Sequence, residues 1–213
     1  NLSHAPAFED GVADIFPCSN VDQRAHLPLD QIGGGNGNDI WGWRDGANEY
    51  ALIGRSNGTA FVDMTDPENP VYLGNLPTVV RSSTWRDIKV YRDHAFVVSD
   101  SAGLHGMQVF DLTRLRNVTN PPVEFEPDAR YSEFGSAHNV VINEESGFAY
   151  VVGADVCSGG LHIVDIRDPT SPVEAGCFDD DGYTHDAQCV TYRGPDADFQ
   201  GREVCFASNE DTV

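Results

Sequence analysis

The chain has 213 residues, with 13 Lys and Arg against 34 Asp and Glu and a formal net charge of −21. A surface that negative repels phosphate backbones and anionic lipid, which argues against nucleic-acid and membrane-surface binding. No apolar run approaches the roughly 20 residues needed to span a bilayer, so no direct membrane insertion is expected of this segment.

Residues 1–37 read as a lead-in arm ending in the flexible stretch "GGGNGN" (Gly33–Asn38). No basic-then-apolar leader is visible, so any signal peptide is expected to have been removed or to lie outside this sequence. From Asn38 onward two blocks recur. The first appears as "NDIWGW" from Asn38, "RDIKVY" from Arg86, "HNVVIN" from His138 and "HDAQCVTY" from His185. Each is followed by a second β-rich run: "EYALIG", "HAFVVSD", "GFAYVVG" and "REVCFAS".

The second block appears three times, as "NGTAFVDMTDPENPVYLGNL" (Asn57–Leu76), "HGMQVFDLTRLRNVTNPPVEF" (His105–Phe125) and "GGLHIVDIRDPTSPVEAGCF" (Gly159–Phe178). In each, glycine precedes a short strand ending at Asp63, Asp111 or Asp165, and a proline-containing turn leads into another strand. Those aspartates, with Asp66-Pro67 and Asp168-Pro169, are turn formers: Asp caps the turn and Pro presets its φ. The unit is four short strands recurring about every 50 residues, the mark of a β-propeller blade. Strand-like alternation agrees with this, and no segment has sustained helical periodicity. The expected fold is an all-β propeller of four-stranded antiparallel blades at 38–80, 81–130 and 131–180, with an incomplete blade at 181–213. About three and a half blades fall short of the 4–8 that close a ring, so the chain reads as a fragment of a larger ring.

Five cysteines contain no Cys-x-x-Cys, which leaves zinc-ribbon and thioredoxin-type readings unsupported. In the blade scheme Cys157 and Cys177 approach one face. A hairpin turning near Ala197 sets Cys189 opposite Cys205, so two disulfides and an oxidising compartment are expected. Cys18 is left over. Asn-x-Ser/Thr sequons begin at Asn1, Asn57 and Asn117.

The segments "FVDMTDPENPVYLG", "LHIVDIRDPTSPVEAGC" and "YTHDAQCV" resemble the LVIVD-repeat propellers of the choice-of-anchor B group, which are secreted or surface-anchored proteins. "SSTWRDIKVY", "HGMQVFDL", "GSAHNVVIN" and "SNEDT" extend the resemblance from Phe16 over nearly the whole chain. It implies an extracellular location, with more propeller and an anchor beyond Val213. With the other four cysteines paired, Cys18 is expected to pair with a cysteine there as well.

If each first block is an inner strand, the block starts form a ring of polar side chains. Asn38, Arg86, His138 and His185 hold its first position; Asp39, Asp87, Asn139 and Asp186 hold its second. The second set suits turn capping of backbone N–H groups. Two histidines at equivalent positions suit a ligand or metal role. On this reading His138, His185, Asp87, Asp186 and Asp39 are metal-ligand candidates, and Arg86, Asn139, His105, Asp155 and Glu210 are ligand-binding candidates. Asp100, His105, Asp155, Asn209, Glu210 and Asp211 sit in loops expected on the same face. Oxygen donors favour hard cations and imidazoles favour Zn²⁺; of the divalent cations, Ca²⁺ is expected over Zn²⁺ or Mg²⁺. Asp179–Asp181 reads as a calcium loop or a solvated acidic turn. No Gly-x-Ser-x-Gly elbow supports nucleophilic catalysis. Trp41, Trp43 and Trp85 suit either stacking on a sugar or packing between blades.

These features point to a non-enzymatic, cell-surface binding or assembly module with a divalent cation on its central face. Its expected partner is a surface protein or glycan. The alternatives are a metal-dependent hydrolase using the His/Asp set and a self-assembling structural subunit of a surface array.

Overall fold

The recurring Val, Ile, Phe and Tyr positions become short pleated strands because consecutive units bury the faces they turn toward one another. The computed structural model describes residues 12–13, 16–17, 23–210 and 212; Cys18, Asp211 and the sequon at Asn1 lie outside the described residues. A small hairpin joins β1 (Val12–Ala13) and β2 (Phe16–Pro17). The first large sheet is the antiparallel run β3 (Gly37–Asp45), β4 (Asn48–Arg55), β5 (Gly58–Asp63) and β6 (Val71–Pro77). The second begins with β7 (Arg86–Tyr91), β8 (His94–Ser99) and β9 (Met107–Asp111).

β10 (Val123–Glu124) then departs from the expected scheme. "VEF" is not the outer strand of the second sheet: β10 pairs in parallel with β6 of the first, Val123 opposite Gly74. The second sheet is completed instead by β11 (Ala129–Tyr131), antiparallel to β9. Two side-chain features explain the move. Gly74 has no side chain to collide with the Val123 carbonyl, and Phe125 packs edge-on against Phe61 and Phe110 of the two sheets.

The third sheet is β12 (Asn139–Asn143), β13 (Phe148–Val152), β14 (Leu161–Asp165) and β15 (Val173–Phe178). The fourth is the pair β16 (Thr184–Thr191) and β17 (Glu203–Asn209). The helical segments among the described residues are short 3-10 turns.

Consecutive sheets lie face to face, and strand alternation supplies the filling. Leu52 and Phe61 meet Ile88, Val97 and Phe110 between the first and second sheets. Phe96, Val98 and Val109 turn the other way, onto Val140, Val151 and Val164 of the third. Val141, Tyr150 and Val152 then face Cys189 and Ala187 of the fourth. The leading strands β3, β7, β12 and β16 touch in that order, and among the described residues the sheets form no closed ring. The fold is thus all-β and propeller-like.

The glycine-rich segment is tied to the first sheet rather than free of it. Ser56 N donates to Asn36 O at 2.9 Å, and the Asn57 amide to Gly33 O at 3.0 Å. Disulfides join Cys157 to Cys177, with Cα atoms 5.8 Å apart, and Cys189 to Cys205, 4.0 Å apart. The second is a directly opposed cross-strand pair in the hairpin that turns around Ala197. Disulfides form and persist in oxidising surroundings. Among the described residues no helix is long and apolar enough to cross a membrane.

Candidate functional site

The leading strand of each sheet has one unpaired edge, and its backbone groups there need partners other than a β-ladder. The second-position side chains supply them, one sheet ahead of their own. Asp39 Oδ2 accepts from Ile88 N at 2.9 Å, and Asp87 Oδ2 accepts from Val140 N at 2.8 Å. Asn139 Nδ2 donates to His185 O at 2.9 Å, and from the first position Asn38 Nδ2 donates likewise to Arg86 O at 3.2 Å. They bond backbone groups, as capping residues do, but across sheets rather than within a turn. Among the described residues Asp186 bonds only its own strand, at Ala187 N (2.8 Å). Burial, followed by the nearby Asp87 carboxylate, holds the Asp39 carboxyl above the usual range. Lys89 Nζ lies 2.6 Å from Asp87 and above the Trp41 ring.

The other first-position residues split in two. Arg86 is buried beneath the neighbouring sheets, and so is His105 from the loop after β8. His138 and His185, by contrast, reach the surface and meet, with ring centroids 4.4 Å apart. The clip from Asn139 to His185 O brings them together by fixing β16 beside β12. His138 Nδ1 donates to Asp100 Oδ2 at 3.1 Å, which fixes the ring and leaves Nε2 as its outward nitrogen. Asp100 is held in turn. Its N–H donates to Trp85 O at 3.1 Å, the Ser83 hydroxyl donates to its carbonyl, and the Ser136 hydroxyl lies 3.3 Å from Oδ1. Ser136 therefore bonds the carboxylate and Ser99 O rather than His138, which is not the geometry of a serine nucleophile.

One exposed aromatic residue flanks the pair. Tyr183 lies 6.5 Å, centroid to centroid, from His185, while Trp85, 53 % exposed, joins the site through its carbonyl, which accepts the Asp100 N–H. Gly153 makes this packing possible: its φ is +58°, and a side chain there would strike His138 and the Tyr183 hydroxyl. Partial burial, then the Asp100 and Glu210 carboxylates, push the Tyr183 phenol up, so it stays a donor at neutral pH.

The other candidates lie elsewhere or are otherwise engaged. Asp155 Oδ1 accepts from Gly135 N at 2.9 Å, holding the segment before β12. Glu210 is exposed at the end of β17, near Tyr183. Among the described residues no three His, Cys, Asp or Glu side chains gather closely enough to hold a metal ion. Asp181 accepts from the Asn209 amide at 2.6 Å. Trp43 is a packing residue, stacked on Tyr50 at 4.9 Å and bonded to Asp93. Asp63, Asp111 and Asp165 each accept the N–H two residues on, at 2.9, 2.9 and 3.0 Å, which is turn chemistry. An apolar cleft of about 410 Å³ lies on the opposite face of the first sheet, lined by Leu27, Ile53 and Met64 among others.

The third sheet carries a likeness to a known repeat. Residues 134–180 match the LVIVD repeat. The LVIVD match spans β12 to β15 together with His138 and the Cys157–Cys177 disulfide, and so includes half of the histidine pair. No curated protein matches the chain.

Proposed function

We propose that this chain is part of an extracellular LVIVD-repeat β-propeller, of the choice-of-anchor B kind, that acts as a binding module. Its sheets serve as successive blades. Further blades would pack on the exposed apolar faces marked by Ile40 (63 % exposed) and Phe206 (54 % exposed), and Asp186 stands where the next clip would be made. The ligand docks at the His138–His185 pair. The observation that carries this reading is one imidazole oriented by a buttressed carboxylate, in contact with a second, beside exposed Tyr183.

That combination suits a hydroxyl-rich ligand, a glycan. Aromatic faces take the apolar face of a sugar ring, while imidazole, carboxylate and phenol bond its hydroxyl groups. The net charge of −21 favours neutral or cationic glycans over sulfated ones. A divalent cation here would need donors from the ligand or from outside the pair, and Ca²⁺ addition is an arm of the test. The test is a glycan array probed with the wild-type protein and with the His138→Ala/His185→Ala variant, with and without Ca²⁺. Neutral glycans should be retained by the wild type and lost by the variant. Equal retention by both would refute the assignment.

A further inference from the structure

Between the first and second sheets lie two guanidinium groups, with Arg55 0 % and Arg86 2 % exposed. Arg55 Nη1 donates to Gly34 O at 3.0 Å, and Nη2 to Asn75 Oδ1. Arg86 Nε donates to Arg55 O at 2.6 Å, and Nη1 to His105 Nε2 at 3.0 Å. Every one of these acceptors is neutral. His105 uses its remaining hydrogen on Gly106 O at 2.9 Å, so it offers no further lone pair. Among the described residues neither arginine makes an ion pair.

Two like charges are thus enclosed without a counter-charge, a state that costs several kcal/mol per ion unless it is compensated. The same groups also carry donors without acceptors: among the described residues the buried Arg86 Nη2 and Arg55 Nε meet no partner. Burial, with Arg55 beside it, lowers Arg86 only to about 10, so it remains a cation at neutral pH.

We propose that Arg86 Nη2 binds a small monovalent anion of chloride size between these two sheets. A water molecule would satisfy the N–H but leave both charges uncompensated. The burial of Arg86 Nη2 keeps a carboxylate on a larger molecule from reaching it, and donors alone exclude a cation. A halide meets both demands, charge and hydrogen-bond acceptance.

The experiment uses the wild-type chain and chloride itself. Thermal unfolding is followed while sodium chloride replaces sodium gluconate at constant ionic strength. Tm should rise by about 3–5 °C for each tenfold increase in chloride above its Kd. Crystals grown in bromide should show an anomalous peak in contact with Arg86 Nη2, and Arg86→Gln should abolish the chloride dependence. If that variant fails to fold, the wild-type bromide data decide. A Tm equal in both salts, or no bromide peak beside Nη2, would overturn the proposal.

Discussion

Asp87→Ala removes a clip between consecutive sheets, and its cost can be worked from the contacts. The carboxylate is 5 % exposed, accepts the Val140 N–H at 2.8 Å and receives Lys89 Nζ at 2.6 Å. Loss of the acceptor strands a buried backbone donor, worth about 1–3 kcal/mol, and also removes a charge-assisted bond of similar size. A destabilisation of about 3 kcal/mol follows, which for a chain of this length lowers Tm by roughly 6–12 °C. Asp186 has the same place in its block but is exposed and, among the described residues, bonds only its own strand. Asp186→Ala should therefore stay within about 0.5 kcal/mol of wild type. Urea unfolding gives both values, and amide exchange at Val140 should accelerate in the first variant alone. Equal losses in the two variants, or an unchanged Val140 exchange rate, would refute the clip account.

Two further outcomes follow from the same contacts. Burial, with Arg86 and Arg130 nearby, lowers the His105 pKa to about 4, whereas an unfolded histidine titrates near 6.5. The unfolded chain therefore takes up a proton that the native state refuses, and stability that is full above pH 6.5 is lost as pH falls towards 4. The loss should reach about 2 kcal/mol at pH 5, and His105→Gln should remove that portion of the slope; parallel wild-type and variant profiles would contradict it. Gly74→Ala should push β10 off β6, because the new methyl group meets the Val123 carbonyl. Exchange at the Phe125 amide, which donates to Asn75 O at 2.8 Å, should rise, and an unchanged rate would count against the parallel pairing.

The repeated blocks made the strands legible because a two-residue alternation and a proline-containing turn after an aspartate are local properties of sequence. The opposition of Cys189 and Cys205 followed from hairpin symmetry alone. The destination of Val123–Phe125 was not legible, since it depends on the space left by Gly74 and on the Phe61–Phe110 stack in other strands. In the site, the likeness of His138 and His185 was visible as equivalence of position. Their contact depends on a clip from Asn139 to a carbonyl, and carbonyls carry no sequence signal. Arg86 and His138 occupy equivalent positions, yet one is buried and the other only half-buried at the surface, because His105 reaches in over Arg86 while Asp100 holds His138 outward. Tyr183 and Gly153 were the residues missed. A glycine at positive φ facing an aromatic residue 30 positions later leaves no local pattern.

The account rests on His138 and His185 forming one docking surface, and a double-mutant cycle on glycan affinity tests it most directly. For the glycan retained most strongly by the wild-type protein, each single alanine variant should raise Kd about tenfold or more. The double variant should then lose distinctly less than the product of the two. Two strictly multiplicative effects, or a Kd that neither substitution moves, would contradict it.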